Sequence, residues 1–542
     1  MLLSPVFSSS NLVLGIEVLF PAFVLYCLGC AIYNRYFHPY KDFPGPFWAS
    51  ITPLWYWRAV RYARGQDHQL PIHKKYGPFV RVSPDQVQIM DPAAIETIYG
   101  PKNVFIKSAF YEGFNPKISP RRGNFEEADE RRHTLRRRIV APLYTQASIL
   151  EFEPCVDRLI SIFYHKMESF ATTHESFDMA VWLRKYTFDV IGEIFYGRSG
   201  GFGFMRDDID YNNWCHLMDV MPGAASSVSY VPWGFQTLYF MSEMIFPSTR
   251  AGAVGFFDVI KQAKIAVQQR LDDMRSGNHK TRHDMLSKLI GLVNDDPDPK
   301  VHWTIKDVAA EIWTMIWAGS DTTAIALTSI FYHLHRYPAV LKKLRDEIDG
   351  AFDTGALSYP LRFQDCIKLP YLHAVVREAM RVHPSLGTGL PRIVPPGGAT
   401  ICGRYFPGGH GVIMNQCAVH FDKGVFGEDA EEFNPERWIR DGEKHAGYME
   451  RHILQFGYGP RICIGKHITN VEMYKLLPTI LRDFAFEGVG LSERGELKQW
   501  DVCQGWFHQQ RNVDVKVKRR KDRAAGVVLE LGDWGVSKLE KA

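Results

Sequence analysis

The sequence lacks an excess of charge of either sign, and it has few cysteines. Lys and Arg together number 64 and Asp and Glu 60, which leaves a formal net charge of +4 over 542 residues. Nucleic-acid-binding domains concentrate positive charge, so this balance argues against a nucleic-acid partner. The nine cysteines are scattered and odd in number, unlike the framework of a small secreted domain, and no Asn-x-Ser/Thr sequon occurs. Both features favour a reducing compartment.

Internal repeats and nucleotide-binding motifs are also missing. From Ile51 onward we find no repeat with a period of roughly 20 to 50 residues and no long polar linker, so one catalytic domain is the simplest division. No convincing Gly-x-Gly-x-x-Gly fingerprint is present, so the sequence gives no sign of a dinucleotide-binding site of its own. By contrast, 46% of the residues are hydrophobic, which is enough for a large core and excludes a disordered chain.

One long apolar run is present, at 12–33, and its only charged residue is Glu17. Its length suits a helix across a hydrocarbon layer of about 30 Å. No Lys or Arg precedes the run and no small-x-small cleavage site ends it, so we predict a retained transmembrane helix rather than a cleaved signal peptide. Arg35 and Lys41 follow it, and the positive-inside rule therefore predicts that the remaining chain is cytoplasmic.

The pattern beyond the anchor predicts a mainly α fold with small β-sheets (α+β). Helical periods dominate 307–335 and 339–352, whereas short alternating segments surround 79–90 and 398–412. Prolines and a glycine at 39–46 exclude a continuous helix there. We predict five segments, namely a short non-cytoplasmic tail (1–11), a transmembrane helix (12–33), a proline-rich hinge (34–46), a catalytic domain (47–518) and a charged C-terminal tail (519–542).

The sharpest motif is Phe-Gly-Tyr-Gly-Pro-Arg-Ile-Cys-Ile-Gly at 456–465, just before a helix-compatible run. A helix N-terminus and converging backbone N–H groups lower the pKa of a thiol, so Cys463 is a candidate thiolate ligand of haem iron. Arg461 could donate to a haem propionate, and Phe456 could shield the sulfur from water. The alternative is a buried free cysteine beside a glycine turn, but the motif is too specific to arise often by chance.

This segment resembles the haem-binding loop of the cytochrome P450 family, with Gly459 and Gly465 at the glycine positions of that loop. The resemblance implies a cytochrome P450 fold, haem b ligated axially by Cys463, and O2 as co-substrate. Two upstream segments match further family motifs. Glu378 and Arg381 fit its Glu-x-x-Arg helix, and Arg437 fits the arginine that completes a buried ion-paired triad. We assign this triad to folding around the haem, since buried networks are costly to break singly.

The segment 318–323, Ala-Gly-Ser-Asp-Thr-Thr, resembles the oxygen-activating part of the central helix of the family. The resemblance implies that Asp321 and Thr322 are catalytic and route protons to bound oxygen. Gly319 is expected to leave room for dioxygen beside the helix. Taken alone, the same residues would be read as a local cap or as hydroxyls bonded back to the helix.

An arginine-rich run at 131–138 could be read as a nuclear-localisation patch. The family has a Trp-x-x-x-Arg pair here that contacts the haem propionates, and this chain has His133 and Arg137 in those places. His133 departs from the pattern. Arg392 resembles a further propionate-binding arginine, although a plain surface role is the alternative. The other arginines of the run could attract an acidic electron donor.

Substrate-pocket residues are predicted from helical phase and from position after the Glu-x-x-Arg helix. One stripe of the central helix presents Thr314, Met315 and Ala318. Leu386 and Leu390 are expected to form a second wall and Phe507 a third. The alternative is that these residues are ordinary core.

The resemblance implies a membrane-anchored monooxygenase that inserts one oxygen atom of O2 into an apolar small molecule, as in fungal enzymes of specialised metabolism. It also implies an NADPH-cytochrome reductase as electron donor and a single-pass location in the endoplasmic reticulum membrane. Two alternatives remain. Gly-Arg-Ser-Gly-Gly at 197–201 fits the nucleophile elbow of a serine hydrolase. A haem-thiolate isomerase or sensor would need no oxygen activation, against which the Asp321–Thr322 pair argues.

Overall fold

The computed structural model of the protein describes residues 9–65, 68–102, 105–115, 118–231, 234–276, 283–295, 300–488 and 501–521. Parts of both predicted tails, residues 1–8 and 522–542, lie outside the described residues. The described chain is mainly helical with small sheets, as the sequence predicts.

The helices follow one another in chain order. Those before residue 175 are α1 (Ser9–Ile32), α2 (Phe47–Ile51), α3 (Leu54–Arg61), α4 (Gln69–Tyr76), α5 (Ala94–Tyr99), α6 (Glu130–Val140), α7 (Gln146–Leu150) and α8 (Glu153–Thr173). The central ones are α9 (Met179–Tyr196), α10 (Phe204–Asp207), α11 (Trp214–Val228), α12 (Gln236–Glu243), α13 (Pro247–Arg275), α14 (Met285–Asp295), α15 (Ile305–Arg336) and α16 (Pro338–Asp353). The last are α17 (Phe363–Cys366), α18 (Pro370–Val382), α19 (Gln416–Val419), α20 (Lys423–Phe426), α21 (Arg437–Arg440), α22 (Gly442–Glu450) and α23 (Lys466–Asp483).

The strands are short. They are β1 (Phe79–Ser83), β2 (Gln86–Ile89), β3 (Ile106–Lys107), β4 (Phe177–Asp178), β5 (Arg392–Ile393), β6 (Ala399–Ile401), β7 (Arg404–Phe406), β8 (Gly411–Met414), β9 (Phe484–Gly488), β10 (Asp501–Gln504), β11 (His508–Arg511) and β12 (Asp514–Arg519). The largest sheet has the order β1-β2-β8-β5-β3, and its β2–β8 pair is parallel. A three-stranded sheet, β4-β12-β9, and the hairpins β6–β7 and β10–β11 complete the described sheets.

Helix α15 is the central element of the core. A capping box starts it: the Thr304 side chain accepts a hydrogen bond from the backbone N–H of Asp307, and the Asp307 carboxylate accepts one from the backbone N–H of Thr304. The helix runs for 32 residues and packs along α9, α13 and α18. Its last turn carries the basic residues that favour a helix C-terminus, and Pro338 begins the next helix.

The N-terminal helix α1 and the hinge behind it connect to the largest sheet. The segment Glu17–Phe37 is long and apolar enough to cross a membrane, and its side chains are not buried against the protein. After a π-helical turn at Tyr33–Phe37 the hinge docks on β1, where the backbone N–H of Arg81 donates to the Pro44 carbonyl over 2.7 Å. A Cβ at Gly45 would lie 2.3 Å from the Arg81 oxygen, so only glycine allows this close approach.

Candidate active site

The residues that the sequence singles out converge on one cavity of about 690 Å³. It is bounded by α6, α13 and α15, by the loop before α23, and by the turn of the β10–β11 hairpin. The predicted residues on its wall are His133, Arg137, Thr314, Met315, Ala318, Thr322, Leu386, Leu390, Arg392, Phe456, Arg461, Cys463 and Phe507. Asp321, Gly459 and Gly465 are absent from the described residues that form the wall.

The loop that carries Cys463 is tightly folded. The backbone N–H of Cys463 donates to the carbonyl of Phe456 over 2.7 Å, and this bond closes the loop directly before α23. Gly459 has φ +62°, and a Cβ there would lie 2.2 Å from the Tyr99 oxygen, so this position requires glycine. Gly465 differs, because a Cβ there would lie 3.9 Å from the Cys463 sulfur, an ordinary contact.

Opposing effects act on the Cys463 thiol. Burial raises its pKa, whereas the backbone N–H groups of Gly465 and Lys466 and the charge of Arg137 lower it. Burial is the largest of these effects, so the net shift of the Cys463 pKa is upward, but the opposing groups are the kind that a helix N-terminus offers to a thiolate. Cys463 lies deep in the fold, and its accessible surface faces the cavity, where a ligand could contact it.

Three arginines line the same cavity. Arg137 donates to the carbonyl of Ile462 over 2.6 Å, so it is anchored to the residue before Cys463. Arg461 forms an ion pair with Glu130, with 2.8 Å between Nη2 and Oε1. Arg392, which is 4% exposed, comes from β5. Their convergence from three separate segments creates a cationic wall.

This cationic wall has unsatisfied donors. Nη1 of Arg461 and Nδ1 of His133 are buried without a hydrogen-bond partner in the described structure. Burial, followed by the charges of Arg392 and Arg461, lowers the pKa of Lys107 well below its usual value. The pKa of His133 falls to about 3 through burial and then the charge of Arg461. The two carboxylates of haem b would supply the missing negative charge, so these residues fit that group.

The catalytic pair predicted on α15 is divided between two environments. The Thr322 hydroxyl is on the cavity wall and donates to the Ala318 carbonyl over 2.7 Å. Asp321 is fully buried, with its Oδ1 2.8 Å from Nε of Arg184 on α9. The other oxygen of Asp321 accepts a hydrogen bond from Gln509 over 2.7 Å. Asp321 therefore does not line the cavity, and any effect it has there must pass through neighbouring groups.

Gly319 has a different structural role from the one expected. A Cβ at this position would lie 2.4 Å from Cδ1 of Ile191 on α9. The glycine therefore allows α9 and α15 to pack closely, and the expectation that it also makes room for dioxygen stays a prediction. Ala318, which precedes it, is exposed on the cavity wall.

The structure brings the three triad residues together in the protein interior. Glu378 accepts from Nη2 of Arg381 over 2.8 Å and from Nε of Arg437 over 2.9 Å. The indole N–H of Trp438 donates to the second carboxylate oxygen of Glu378 over 2.9 Å. Arg381 also donates to the backbone carbonyls of His420 and Glu432, so it joins several distant chain segments.

Sequence reasoning missed several residues of the cavity wall. Lys107 lies in a two-residue strand beside Arg392, a placement that no local pattern reveals. Trp313 and Trp317 follow the same four-residue spacing as Thr314 and Ala318, so helical phase could have found them. The remaining missed aromatic residues are Tyr111, Phe114, Phe125, Phe240, Phe256 and Phe257.

The serine-hydrolase alternative fails on geometry. Ser199 is exposed in a turn between α9 and α10. A nucleophile elbow requires a strand before the serine and a helix directly after it. Here a helix precedes the serine and a glycine-rich turn follows it, so the hydrolase interpretation is wrong.

The sequence of this chain is similar to one family of known proteins. The family model for cytochrome P450 matches residues 45–501. A cytochrome P450 monooxygenase of Penicillium aethiopicum, gsfF, is 36% identical over 501 residues, covering 91% of this chain and 96% of that protein. Another from Emericella nidulans, cicH, is 34% identical and covers 88% of this chain and 93% of that protein. Pisatin demethylase of Fusarium vanettenii is 33% identical, with coverage of 89% and 91%.

Proposed function

The chain belongs to the cytochrome P450 family and is a monooxygenase, and on that premise we propose which of its residues perform the reaction and where it acts. The family implies haem-thiolate iron and O2. When bound, the haem supplies the metal at which dioxygen is activated. The isomerase or sensor alternative has no support, since the relatives are named as monooxygenases.

In this proposal Cys463 would provide the thiolate that holds the haem iron. The observation that carries it is the loop geometry: Cys463 lies on the cavity wall directly before α23, within reach of the Gly465 and Lys466 N–H groups. Phe456 shields the sulfur from water, and its carbonyl fixes the Cys463 backbone. Because Gly459 has no side chain, the turn before Cys463 can pack against Tyr99 at the end of α5.

The cationic wall holds the haem carboxylates. Arg137, Arg392 and Arg461 each line the cavity, and charge-assisted hydrogen bonds from guanidinium groups suit carboxylates. The unpaired Nη1 of Arg461 supports its role, and Lys107 adds a further hydrogen-bond donor from β3. His133 is neutral because its pKa is far below the physiological range, so it contributes a hydrogen bond rather than a charge.

Thr322 moves a proton at its Oγ1 in the proposed reaction. Its hydroxyl lies on the cavity wall beside Ala318, where a bound water could exchange with it. Arg184 stays protonated and holds Asp321 in place while it also pairs with Asp219 over 2.9 Å, and in this proposal water would carry the proton between Asp321 and Thr322. The Asp219 side chain is 32% exposed, so this network extends from the helix interior to solvent.

The substrate enters an apolar pocket above these groups. Leu386, Leu390 and Phe507 form two of its walls, and Thr314, Met315 and Ala318 line it from α15. Apolar lining with few polar groups is typical of small-molecule sites. Since the named relatives include fungal enzymes such as pisatin demethylase, we assign this chain to fungal secondary metabolism.

The N-terminal helix anchors the enzyme as a single-pass protein of the endoplasmic reticulum, with the catalytic domain in the cytoplasm. Arg35 and Lys41, which follow the apolar segment, support this orientation. An NADPH-cytochrome reductase on the same membrane donates the electrons, and the exposed arginines Arg131, Arg132 and Arg138 offer it a basic surface. Protection of the domain from protease in sealed microsomes would contradict this orientation.

The decisive experiment for the haem assignment is spectroscopic. We expect the reduced protein with carbon monoxide to show the Soret band of a thiolate-ligated haem. The variant Cys463→Ser should lose that band and the oxygenation activity, whereas Cys366→Ser, which changes a buried cysteine of α17 that is not among the described residues of the cavity wall, should keep both. Survival of the band in Cys463→Ser would overturn the assignment.

A further inference from the structure

Two polar side chains on the cavity wall are bonded to each other. Ser385 lies in the segment between α18 and β5, and Gln455 lies directly before Phe456 in the loop that carries Cys463. The backbone N–H of Ser385 donates to Oε1 of Gln455 over 3.1 Å, and Nε2 of Gln455 donates to Oγ of Ser385 over 3.0 Å. These reciprocal bonds fix the relative position of two segments that are 70 residues apart in the chain.

The same serine is bonded to the central helix. The hydroxyl of Ser385 donates to the backbone carbonyl of Thr322 on α15 over 2.8 Å. In an α-helix this carbonyl also accepts from the N–H four residues later, so Ser385 supplies a second donor from outside the helix. Ser385 is 3% exposed, and its own carbonyl accepts from the backbone N–H of His508 over 2.9 Å. The N–H, the carbonyl and the hydroxyl of Ser385 therefore all have partners.

These bonds connect the two parts of the site on which the reaction depends. At one end, Gln455 is next to Phe456, whose carbonyl accepts from the Cys463 N–H over 2.7 Å. At the other end is Thr322, which lines the cavity. We call the pair of Ser385 and Gln455 the polar brace. The surrounding wall is mostly apolar, so packing alone would be served by apolar side chains at both positions.

Resting on the monooxygenase function and on the proton transfer assigned to Thr322, we propose that the polar brace positions the backbone of α15 at Thr322 relative to the Cys463 loop. Ser385 and Gln455 are positioning residues, because they act through Thr322 and not on the substrate. Loss of either one breaks the link between that backbone and the loop, while the bond from the Thr322 hydroxyl to the Ala318 carbonyl remains. The Thr322 hydroxyl is then misplaced more often.

The position of this hydroxyl decides the fate of dioxygen when no substrate is bound. Without a further proton at the outer oxygen atom, one NADPH, one H+ and one O2 give NADP+ and hydrogen peroxide. With that proton the O–O bond breaks, and two NADPH, two H+ and one O2 give two NADP+ and two H2O. A proton donor must lie within hydrogen-bond reach of the atom that it protonates, so displacement of Thr322 favours peroxide.

The first measurement follows the helix and requires no turnover. Ser385→Ala removes the donor to the Thr322 carbonyl, and Gln455→Leu removes both bonds to Ser385. In the holoenzyme, amide hydrogen exchange over residues 318–326 should be roughly fivefold faster in each variant, which is the effect of losing one hydrogen bond. Both variants should keep the thiolate band of the carbon monoxide spectrum.

The second measurement is the ratio of water to hydrogen peroxide formed by the substrate-free holoenzyme with NADPH and NADPH-cytochrome reductase. This ratio follows from the NADPH and O2 consumed and the peroxide released. Ser385→Ala and Gln455→Leu should each lower it roughly fivefold, and the double variant should lower it no further, because the two residues act as one unit. In a Thr322→Ala background, Ser385→Ala should change the ratio by less than about twofold, because no hydroxyl remains to be positioned.

Ser329→Ala is the matched control. The Ser329 hydroxyl also joins α15 to the segment of α18, since it donates to the Ala379 carbonyl over 3.1 Å. Ser329 is fully buried and is not among the described residues of the cavity wall. This variant should leave the ratio of water to peroxide unchanged.

Several results would overturn the proposal. An unchanged ratio or unchanged exchange in Ser385→Ala would do so, as would an equal fall of the ratio in Ser329→Ala or an undiminished effect of Ser385→Ala in the Thr322→Ala background. Loss of the thiolate band in Ser385→Ala would also contradict it, because the serine would then be needed for haem binding. Ser385→Ala decides the question if Gln455→Leu binds no haem.

The variant Thr322→Ala alone separates this proposal from the function on which it rests. If Thr322→Ala leaves the ratio of water to peroxide unchanged, the proton-transfer role of Thr322 fails. If Thr322→Ala lowers the ratio and Ser385→Ala does not, only the positioning role of the polar brace fails.

Discussion

The carboxylate of Asp321 lies 2.8 Å from the guanidinium of Arg184, and this ion pair connects α15 to α9. Neighbouring residues on a helix point about 100° apart, and here Thr322 lines the cavity whereas Asp321 points towards α9. Burial raises the pKa of Asp321, and Arg184 lowers it again by favouring the charged form. The ion pair thus keeps a charged carboxylate inside the protein, one residue from the cavity wall.

The first prediction concerns coupling of electron use to product formation. Thr322→Ala removes the only hydroxyl of the Asp321–Thr322 pair and should lower product formed per NADPH consumed by roughly tenfold. The fold should survive, because the lost bond to Ala318 is a local one. Product and NADPH are measured together in the reconstituted system.

The control for Thr322→Ala lies on the same helix. The Thr328 hydroxyl donates to the Ala324 carbonyl over 2.7 Å, the same bond to the residue four positions earlier, but Thr328 is buried elsewhere. Thr328→Ala should leave coupling unchanged. An equal loss of coupling in both variants would mean that the effect comes from the helix and not from proton transfer.

The second prediction concerns the ion pair itself. Arg184→Gln leaves Asp321 buried without its cation and should lower the free energy of unfolding by about 3–5 kcal/mol. Adding Asp321→Asn should recover most of this loss, because no fully buried uncompensated charge then remains; Asp219, the other partner of Arg184, is 32% exposed. Denaturant unfolding followed by circular dichroism measures both. A double variant as unstable as Arg184→Gln alone would contradict the explanation.

The sequence predicts the parts of this site that depend on local pattern. The helical period at 307–335 corresponds to α15, and the alternating segment at 79–90 corresponds to β1 and β2. Motif residues such as Glu378 and Arg381 share a helix face because they are three residues apart. Such features can be predicted from the residues that are near one another in the sequence.

The features that sequence reasoning missed depend on distant contacts. Position 319 requires a glycine because the side chain of Ile191, which is far away in the chain, packs against it. The partner of Asp321 is Arg184 on another helix, and no spacing relates the two. Lys107 reaches the cationic wall only because β3 pairs with β5. Each depends on tertiary packing, which a single sequence does not encode in its local periodicity.

The third prediction compares a buried charge with an exposed one. Glu378→Gln weakens the pairing of two fully buried arginines and should cost more than about 3 kcal/mol, with loss of haem incorporation. Asp346→Asn breaks the exposed pair with Lys342 and should cost less than about 1 kcal/mol. Haem content per protein and denaturant unfolding measure both variants. Normal haem content in Glu378→Gln would contradict the folding role of the triad.

The last prediction concerns the acid side of the stability profile and rests on His420. This side chain is fully buried between the triad and the cysteine loop: its Nε2 accepts from the Leu454 N–H over 2.8 Å, and its Nδ1 lies 3.0 Å from the Arg381 carbonyl. Only the neutral ring makes both bonds. Burial lowers the pKa of His420 from 6.5 to about 3.

Because the folded pKa is the lower one, the unfolded chain binds the proton first as the solution is acidified. Stability is therefore lost as the pH falls below about 6.5, and this site alone should account for about 2 kcal/mol by pH 5. His420→Gln cannot be protonated and should flatten the pH dependence of the unfolding free energy between pH 6.5 and 5, although its stability at pH 7 falls. His174→Gln, an exposed control at the end of α8, should keep the slope of the unaltered protein. Equal slopes in all three proteins would show that a neutral His420 is not what the fold requires.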